Sequence, residues 1–310
     1  MRTAFAKTLV ELARQDKRIW LLVGDLGYSV VEPFMQEFPE RFVNMGVAEQ
    51  NMTGVAAGLA LSGKVVFTYS IANFPTMRCL EQIRNDVCYH NASVKIVVVG
   101  GGLAYGALGM THHATEDIAI MRALPNMTVV APGDPLEAAL VTKAAVNTNG
   151  PFYLRLGKAG EPVVHKTTPP FQIGKALRIR EGRDITLVST GGMLYNSLKA
   201  ANELEQQNIG AGVLSMHTVK PIDAGAIRKA AQETRAILTI EEHSILGGLG
   251  SAVAEVLAET SNHKVAFARL GIPDSFCCQA GSQDYLRGLY SLSVSGIAEK
   301  ASQLLKSKVV

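Results

Sequence analysis

The chain has 310 residues, 47% of them hydrophobic and 18% charged, with 29 Gly and 12 Pro. That is too long for one compact core and fits two domains of roughly 150 residues each; the apolar content excludes a disordered chain. Lys+Arg 30 against Asp+Glu 27 leaves +3 with no basic run of five, so neither a nucleic-acid partner nor a membrane surface is expected. Apolar runs such as Ile96–Val99 fall far short of a membrane span, and Met1-Arg2-Thr3 leads into an amphipathic helix, not a signal peptide. Four cysteines (Cys79, Cys88, Cys277, Cys278) make no disulfide framework and no CxxC, so reduced thiols and a cytoplasmic location are expected.

Taken in chain order, helical and strand-like patterns alternate. Arg2 to Gln15 places Phe5, Leu9, Leu12 and Ala13 at helical spacing, and Ile19 to Val23 reads as a buried strand. A helix over 49–61, a strand over 64–69, a helix over 77–90 and a strand over 95–99 follow. A strand over 127–131, a helix over 135–146 and a strand over 152–156 close the first half. Residues 157–172, rich in Gly, Pro and Thr with no apolar period, read as a linker. Strands at 185–189, 212–216, 236–240 and 265–270 then alternate with helices near 193–208, 223–233 and 247–260. Parallel strands need crossover helices, so the fold class is α/β, two consecutive open, mostly parallel sheets. The boundaries are 1–160, a linker at 161–172, and 173–310.

Open α/β sheets bind ligands at the carboxyl ends of their strands, and three loops there are unusual. Val23-Gly24-Asp25-Leu26-Gly27-Tyr28-Ser29 is a glycine turn with a carboxylate and a hydroxyl. Asn44-Met45-Gly46-Val47-Ala48-Glu49 puts an acid at the start of an apolar helix. The small residues that follow, Thr53 to Ala60, let another backbone approach closely, leaving Glu49 partly desolvated at an interface. Gly100 to His113 is a glycine-rich loop ending in a histidine pair, expensive to order and expected to contact a ligand. No carboxylate or cysteine stands at metal-ligand spacing from those histidines, so no metal is expected on them.

Four ordered strings carry a resemblance. They are Gly46-Val47-Ala48-Glu49-Gln50-Asn51-Met52, Thr111-His112-His113-Ala114-Thr115-Glu116-Asp117-Ile118-Ala119, Leu124-Pro125-Asn126-Met127-Thr128-Val129 and Glu241-Glu242-His243-Ser244-Ile245-Leu246-Gly247-Gly248-Leu249-Gly250. Spaced along almost the whole chain, they resemble the C-terminal portion of transketolases, the thiamine diphosphate enzymes. The resemblance implies a pyrimidine-binding domain over 1–160 and a transketolase C-terminal domain after the linker. It implies that thiamine diphosphate, as its ylide, carries a two-carbon ketol unit from a ketose donor to an aldehyde acceptor. Glu49 matches the carboxyl that hydrogen-bonds the aminopyrimidine and drives its tautomerisation. Tyr69 and Phe74 match the aromatic wall of that ring, with Arg78 on the helix behind it, and Asp25 matches an acidic position of the cofactor cleft. His112 matches the histidine beside the reacting carbons, with His113 supporting it on the substrate side. Arg2, Ser29 and Lys158 fall at positions that grip a sugar phosphate, Lys158 in place of an arginine.

The departures carry as much weight. Leu108 stands where an acid contacting a substrate hydroxyl is expected, and Gly100 where a phosphate-side histidine is expected. The N-terminal Gly-Asp-Gly…Asn segment that holds Mg2+ (or Ca2+) and the diphosphate has no counterpart, since Gly24-Asp25-Leu26 breaks the triplet. The resemblance therefore implies a split enzyme, active only with an N-terminal partner subunit that carries the metal, in an α2β2 heterotetramer. Three alternatives stay open at this point. They are a subunit resembling 1-deoxyxylulose-5-phosphate synthase, one resembling the β chain of 2-oxo acid dehydrogenases, and a catalytically silent assembly subunit.

Overall fold

Buried β-branched runs and amphipathic segments arrange themselves into two sheets, each covered on both faces. The computed structural model describes residues 1–261 and 264–306. Strands β1 (Ile19–Val23), β2 (Phe42–Asn44), β3 (Val65–Ile71), β4 (Val94–Val99), β5 (Thr128–Val130) and β6 (Phe152–Leu156) come from the first half. From the second half come β7 (Leu177–Arg180), β8 (Ile185–Ser189), β9 (Ala211–Ser215), β10 (Thr218–Lys220), β11 (Ala236–Ser244) and β12 (Ala266–Ile272). The sheet orders are β2-β1-β3-β4-β6-β5-β10 and β12-β11-β8-β9-β7. All neighbours run parallel except β10 on β5 and β7 on β9. This is the α/β architecture that the alternation predicts.

The helices of the first half are α1 (Arg2–Gln15), α2 (Glu32–Glu37), α3 (Glu49–Leu61), α4 (Asn73–Arg78), α5 (Leu80–Gln82), α6 (Asp117–Ala123) and α7 (Pro135–Asn147). Those of the second are α8 (Met193–Gln206), α9 (Ala224–Glu233), α10 (Leu249–Ala258), α11 (Gln283–Leu289) and α12 (Val294–Lys306). Phe5 and Leu9 of α1 and Val141 of α7 pack on one face of the first sheet; Met52 and Ala56 of α3 and Ile118 of α6 pack on the other. Burial of each of these side chains larger than Ala56 contributes about 1.5–3 kcal/mol, the main stabilising term.

Two features differ from the sequence pattern. The single helix expected over 77–90 is broken: α4 ends at Cys79 (φ −111°), and a π-helical turn over Ile83–Cys88 follows α5. The Thr76 hydroxyl bonds back to the Ala72 carbonyl (2.7 Å), a side-chain bond that competes with the backbone ladder inside α4 just before the break. The other is β10, three residues from the second half that complete the edge of the first sheet. Lys220 Nζ, on the same strand, donates to the carbonyls of Arg122 (3.0 Å) and Leu124.

The connecting segment is held down as well. Asp134 caps α7 through the Glu137 N–H (2.8 Å) and takes the N–H groups of Val164 and His165 on its other oxygen (2.9 and 3.0 Å). His165 Nε2 lies 2.8 Å from the fully buried Glu137 carboxylate. Burial pulls the His165 pKa down, but the Glu137 hydrogen bond and charge outweigh it and the net shift is upward. The folded state then binds the proton more tightly than the unfolded one. Its stabilisation is complete below the ordinary histidine pKa and is lost as pH rises through the raised value. Thermal melts from about pH 6 to about pH 9 should show the wild type losing stability relative to His165→Gln; parallel pH profiles would remove the linkage.

Candidate active site

In the first sheet the strand order reverses between β1 and β3, so the crevice beyond their carboxyl ends is where an open α/β sheet takes a ligand. Gly24 follows β1, Glu49 opens α3 after β2, and Ser70 lies in β3. These three meet: a Cβ placed on Gly24 would lie 3.6 Å from both Glu49 Cγ and Ser70 Oγ.

Glu49 is 3% exposed. Arg78 Nη1 donates to its Oε2 (3.0 Å), while Oε1 is buried with no hydrogen-bond partner. Gln50 Nε2 donates to the Arg78 carbonyl (2.8 Å), so α3 and α4 hold each other in register. A buried carboxylate oxygen without a partner is uncommon because its desolvation is uncompensated. It therefore fits a donor that the isolated chain does not supply, such as a protonated ring nitrogen.

The Arg78 guanidinium also lies over the Phe74 ring, 4.3 Å from its centroid, and His112 meets Phe74 edge-on at 5.2 Å. Glu49, Arg78, Phe74 and His112 thus form one continuous chain of contacts. Arg78, Phe74 and His112 line a cleft of about 590 Å3, with Phe276 and Cys277 of the second half also in its wall; Glu49 reaches it through Arg78. The Thr111 hydroxyl stands 3.1 Å from His112 Nδ1. With that hydroxyl donating, Nε2 carries the proton and can donate to a substrate oxygen. His113 lines the same cleft but is 4% exposed, and neither ring nitrogen has a hydrogen-bond partner. Burial lowers its pKa, so the ring is neutral at pH 7.

Other predicted residues fall elsewhere. Tyr69 is corrected out of the aromatic wall: it is 1% exposed in the core, its ring stacked on Phe5 (6.1 Å, 13°). Burial pushes its hydroxyl well above the ordinary value, and no ring face is left for a ligand. Asp25 is exposed with φ +55° and is tied to Asn44 Nδ2 (3.0 Å); Ser29, also exposed, donates its N–H to Glu32 (2.7 Å). Neither lines the cleft of His112. Lys158 Nζ sits 4.9 Å above the Tyr105 ring, and the charge of Arg2 acts on the hydroxyls of Tyr69 and Tyr105. Since Tyr105 is 6.2 Å from His112, Lys158 stands one ring away from the histidine; neither Lys158 nor Arg2 lines the cleft. Among the described residues, no group of three or more His, Cys, Asp or Glu is placed to hold a metal ion.

Tyr105 also accounts for Gly100. With φ +81°, a Cβ at position 100 would run into the Tyr105 ring. Leu108 is 55% exposed on a single 3-10 turn, outside the cleft.

Sequence reasoning missed a further cluster. Arg155, in the middle of the fully buried β6, donates Nε to Asp117 (2.7 Å) and Nη2 to the carbonyls of Ala114 (2.9 Å) and Glu242 (3.1 Å). The overlooked signal is a cation inside an apolar strand, since a buried guanidinium needs an acid.

Two open α/β sheets in tandem, with a half-satisfied carboxylate at the first switch point and a histidine lining the nearby cleft, define a two-domain α/β chain with a candidate ligand site at the end of its first sheet. The comparisons give the family. Residues 1–160 match the transketolase pyrimidine binding domain and residues 174–297 the transketolase C-terminal domain. The chain is 42% identical over 307 residues to one subunit of the apulose-4-phosphate transketolase of Phocaeicola vulgatus, covering 98% of this chain and 97% of that one. It is 40% identical over 309 residues to a 6-deoxy-6-sulfo-D-fructose transketolase subunit of a Clostridium species, covering 99% and 95%. A solved split-gene transketolase, described as an inactive β4 tetramer, superposes with a TM-score of 0.89 at 40% identity over 98% of this chain and 97% of that one. The chain belongs to the transketolase family, as a split, transketolase-like subunit.

Replacing Gly100 by Ala forces both an unfavourable φ and a collision with Tyr105. The variant should lose about 2–3 kcal/mol of stability in urea denaturation. A loss below about 0.5 kcal/mol would show that the ring moves aside freely.

Proposed function

We propose that this chain is the pyrimidine-binding subunit of a two-subunit, cytoplasmic transketolase. It moves a two-carbon ketol unit from a ketose or ketose phosphate to an aldehyde. The domains are assigned as 1–160 and 173–310, joined by the linker at 161–172. The observation that carries the reading is the unpartnered Glu49 Oε1 in contact with the His112 cleft through Arg78 and Phe74.

Thiamine diphosphate, when bound, supplies a stabilised carbanion and an electron sink. Glu49 would hold the proton at Oε1 on a ring nitrogen of the aminopyrimidine, kept in place by Arg78 on Oε2. Phe74, backed by the Arg78 guanidinium, would wall that ring. His112 would orient the donor carbonyl or hydroxyl through Nε2 and pass a proton there. Asp25 would flank the coenzyme cleft, and Arg2, Ser29 and Lys158 would receive an anionic tail. His113, neutral, would pair with a hydroxyl and not with a phosphate.

A partner is supported by the outer surface of α3. A Cβ on Gly54 or Gly58 meets nothing within 4 Å, and Val47, Val55, Leu61, Met77 and Leu80 around them are 72%, 38%, 61%, 45% and 37% exposed. Such a glycine-notched apolar patch beside a buried orphan oxygen suits coverage by other chains. We assign it to an N-terminal subunit holding Mg2+ (or Ca2+) and the diphosphate, within an α2β2 assembly.

Reconstitution with the N-terminal subunit should yield ketol transfer from ketoses without carbon dioxide release; activity on pyruvate with carbon dioxide release would overturn the ketol assignment. In that complex Glu49→Gln should lower kcat by about 10²-fold or more, with thiamine diphosphate affinity changed only a few-fold. Steady-state rates and calorimetric titration of the cofactor check both halves, and normal turnover would refute the proton role.

A further inference from the structure

The loop that carries His112 begins with Gly100, Gly101 and Gly102 and contains Gly106 and Gly109, so ordering it gives up much backbone freedom. The first half holds its start and its tip, with Leu156 accepting from the N–H groups of Gly100 (2.9 Å) and Gly101 (3.1 Å) and Asn73 Nδ2 donating to the Thr111 carbonyl (2.7 Å); the remaining anchors reach the second half. Leu103 donates its N–H to Glu242 Oε1 (2.6 Å), a residue 139 positions away at the carboxyl end of β11. Glu242 is 5% exposed and also receives Gln283 Nε2 (2.8 and 3.0 Å) and Arg287 Nε (2.6 Å). The approach is so close that a Cβ on Gly102 would lie 2.6 Å from Oε1. Midway, Gly281 donates its N–H to the Gly106 carbonyl (3.2 Å). At the far end, Ser244 donates its N–H to the Thr115 carbonyl (2.7 Å), and Arg155 bridges the carbonyls of Ala114 and Glu242. Both ends of the segment that presents His112 therefore rest on β11.

In the second sheet the order reverses between β8 and β11, so Glu242 occupies the position where such sheets usually meet a ligand. Here the carboxylate meets a loop of the neighbouring sheet. We propose that Glu242 is a positioning residue for the transfer reaction: from the second domain it fixes the loop that presents His112 to the cleft. The inference rests on the reading of His112 above, and it gives a task to a motif, Glu241-Glu242-His243-Ser244, that assembly alone leaves unused.

The test uses the full chain, alone and with its partner subunit. Glu242→Gln keeps an oxygen for the Leu103 N–H. Glu242→Leu/Arg287→Leu removes the acceptor together with its buried cation, so no unpaired guanidinium burdens the fold. Leu204→Ala, in the core of the second body, serves as a comparison destabilised away from the loop. In the double variant, hydrogen exchange of the peptide spanning 101–113 should accelerate at least tenfold while that of α3 is unchanged. Its kcat should fall by up to about 10²-fold at unchanged thiamine diphosphate affinity, with Glu242→Gln recovering most of the loss. Leu204→Ala should lower the melting temperature without either effect. Unchanged exchange over 101–113, or faster exchange with kcat intact, would overturn the proposal. A wild-type pair with no ketol transfer would instead refute the function reading, while the exchange data still report on the anchor.

Discussion

A carboxylate taken out of water needs something to compensate each oxygen, and Glu49 is provided for on one side only. Arg78 holds Oε2; Oε1 is sealed against the strand ends with nothing to accept from. The surroundings follow from that constraint. Gly24 leaves room beside the side chain, and the first turn of α3 favours an acid through its dipole. The broken helix that delivers Arg78 also delivers Phe74, which reaches His112. Among the described residues Oε1 has no donor, and the neighbouring surface of α3 leaves open space at Gly54 and Gly58.

Much of this was readable from residues alone. Alternating runs such as Ile19–Val23 and Glu49–Leu61 announced both sheets and their covering helices, because strong periodicity and burial agree there. The glycine-rich loop announced the histidines. Tyr69 was misread because a strand pattern tells which residues are buried but not which aromatic ring faces a crevice; its ring went to Phe5 in the core. Short elements were the other blind spot. Three-residue strands such as β10 have no period to detect, and their existence depends on an edge built much earlier in the chain.

The substrate side shows why departures from a family pattern need a structure before they are interpreted. Gly100 is not simply a lost side chain: the Tyr105 ring stands in the space a side chain would fill and faces Lys158 and His112. Leu108 has left the cleft altogether. What remains polar and buried there is His113, a neutral ring able to give and accept a hydrogen bond, opposite a wall of Phe276 and Cys277. Neither Gly100 nor Leu108 adds a polar group to that lining. It is set partly by the second body, through the Arg155–Asp117–Glu242 cluster that joins the two sheets.

The strand lent across the seam has a consequence for how this polypeptide can be divided. Thr218 and Lys220 pair with Val130 and Val129, and Ala131 donates its N–H to the His217 carbonyl (2.7 Å). Cutting the chain at residues 161–172 would strip the margin of β5 bare, and an uncovered strand margin recruits other chains indiscriminately. The two sheets are therefore joined at this edge, and the chain does not divide cleanly there. Fragments made at the linker would report on aggregation, and chimeras with related subunits should exchange both sheets as a single block.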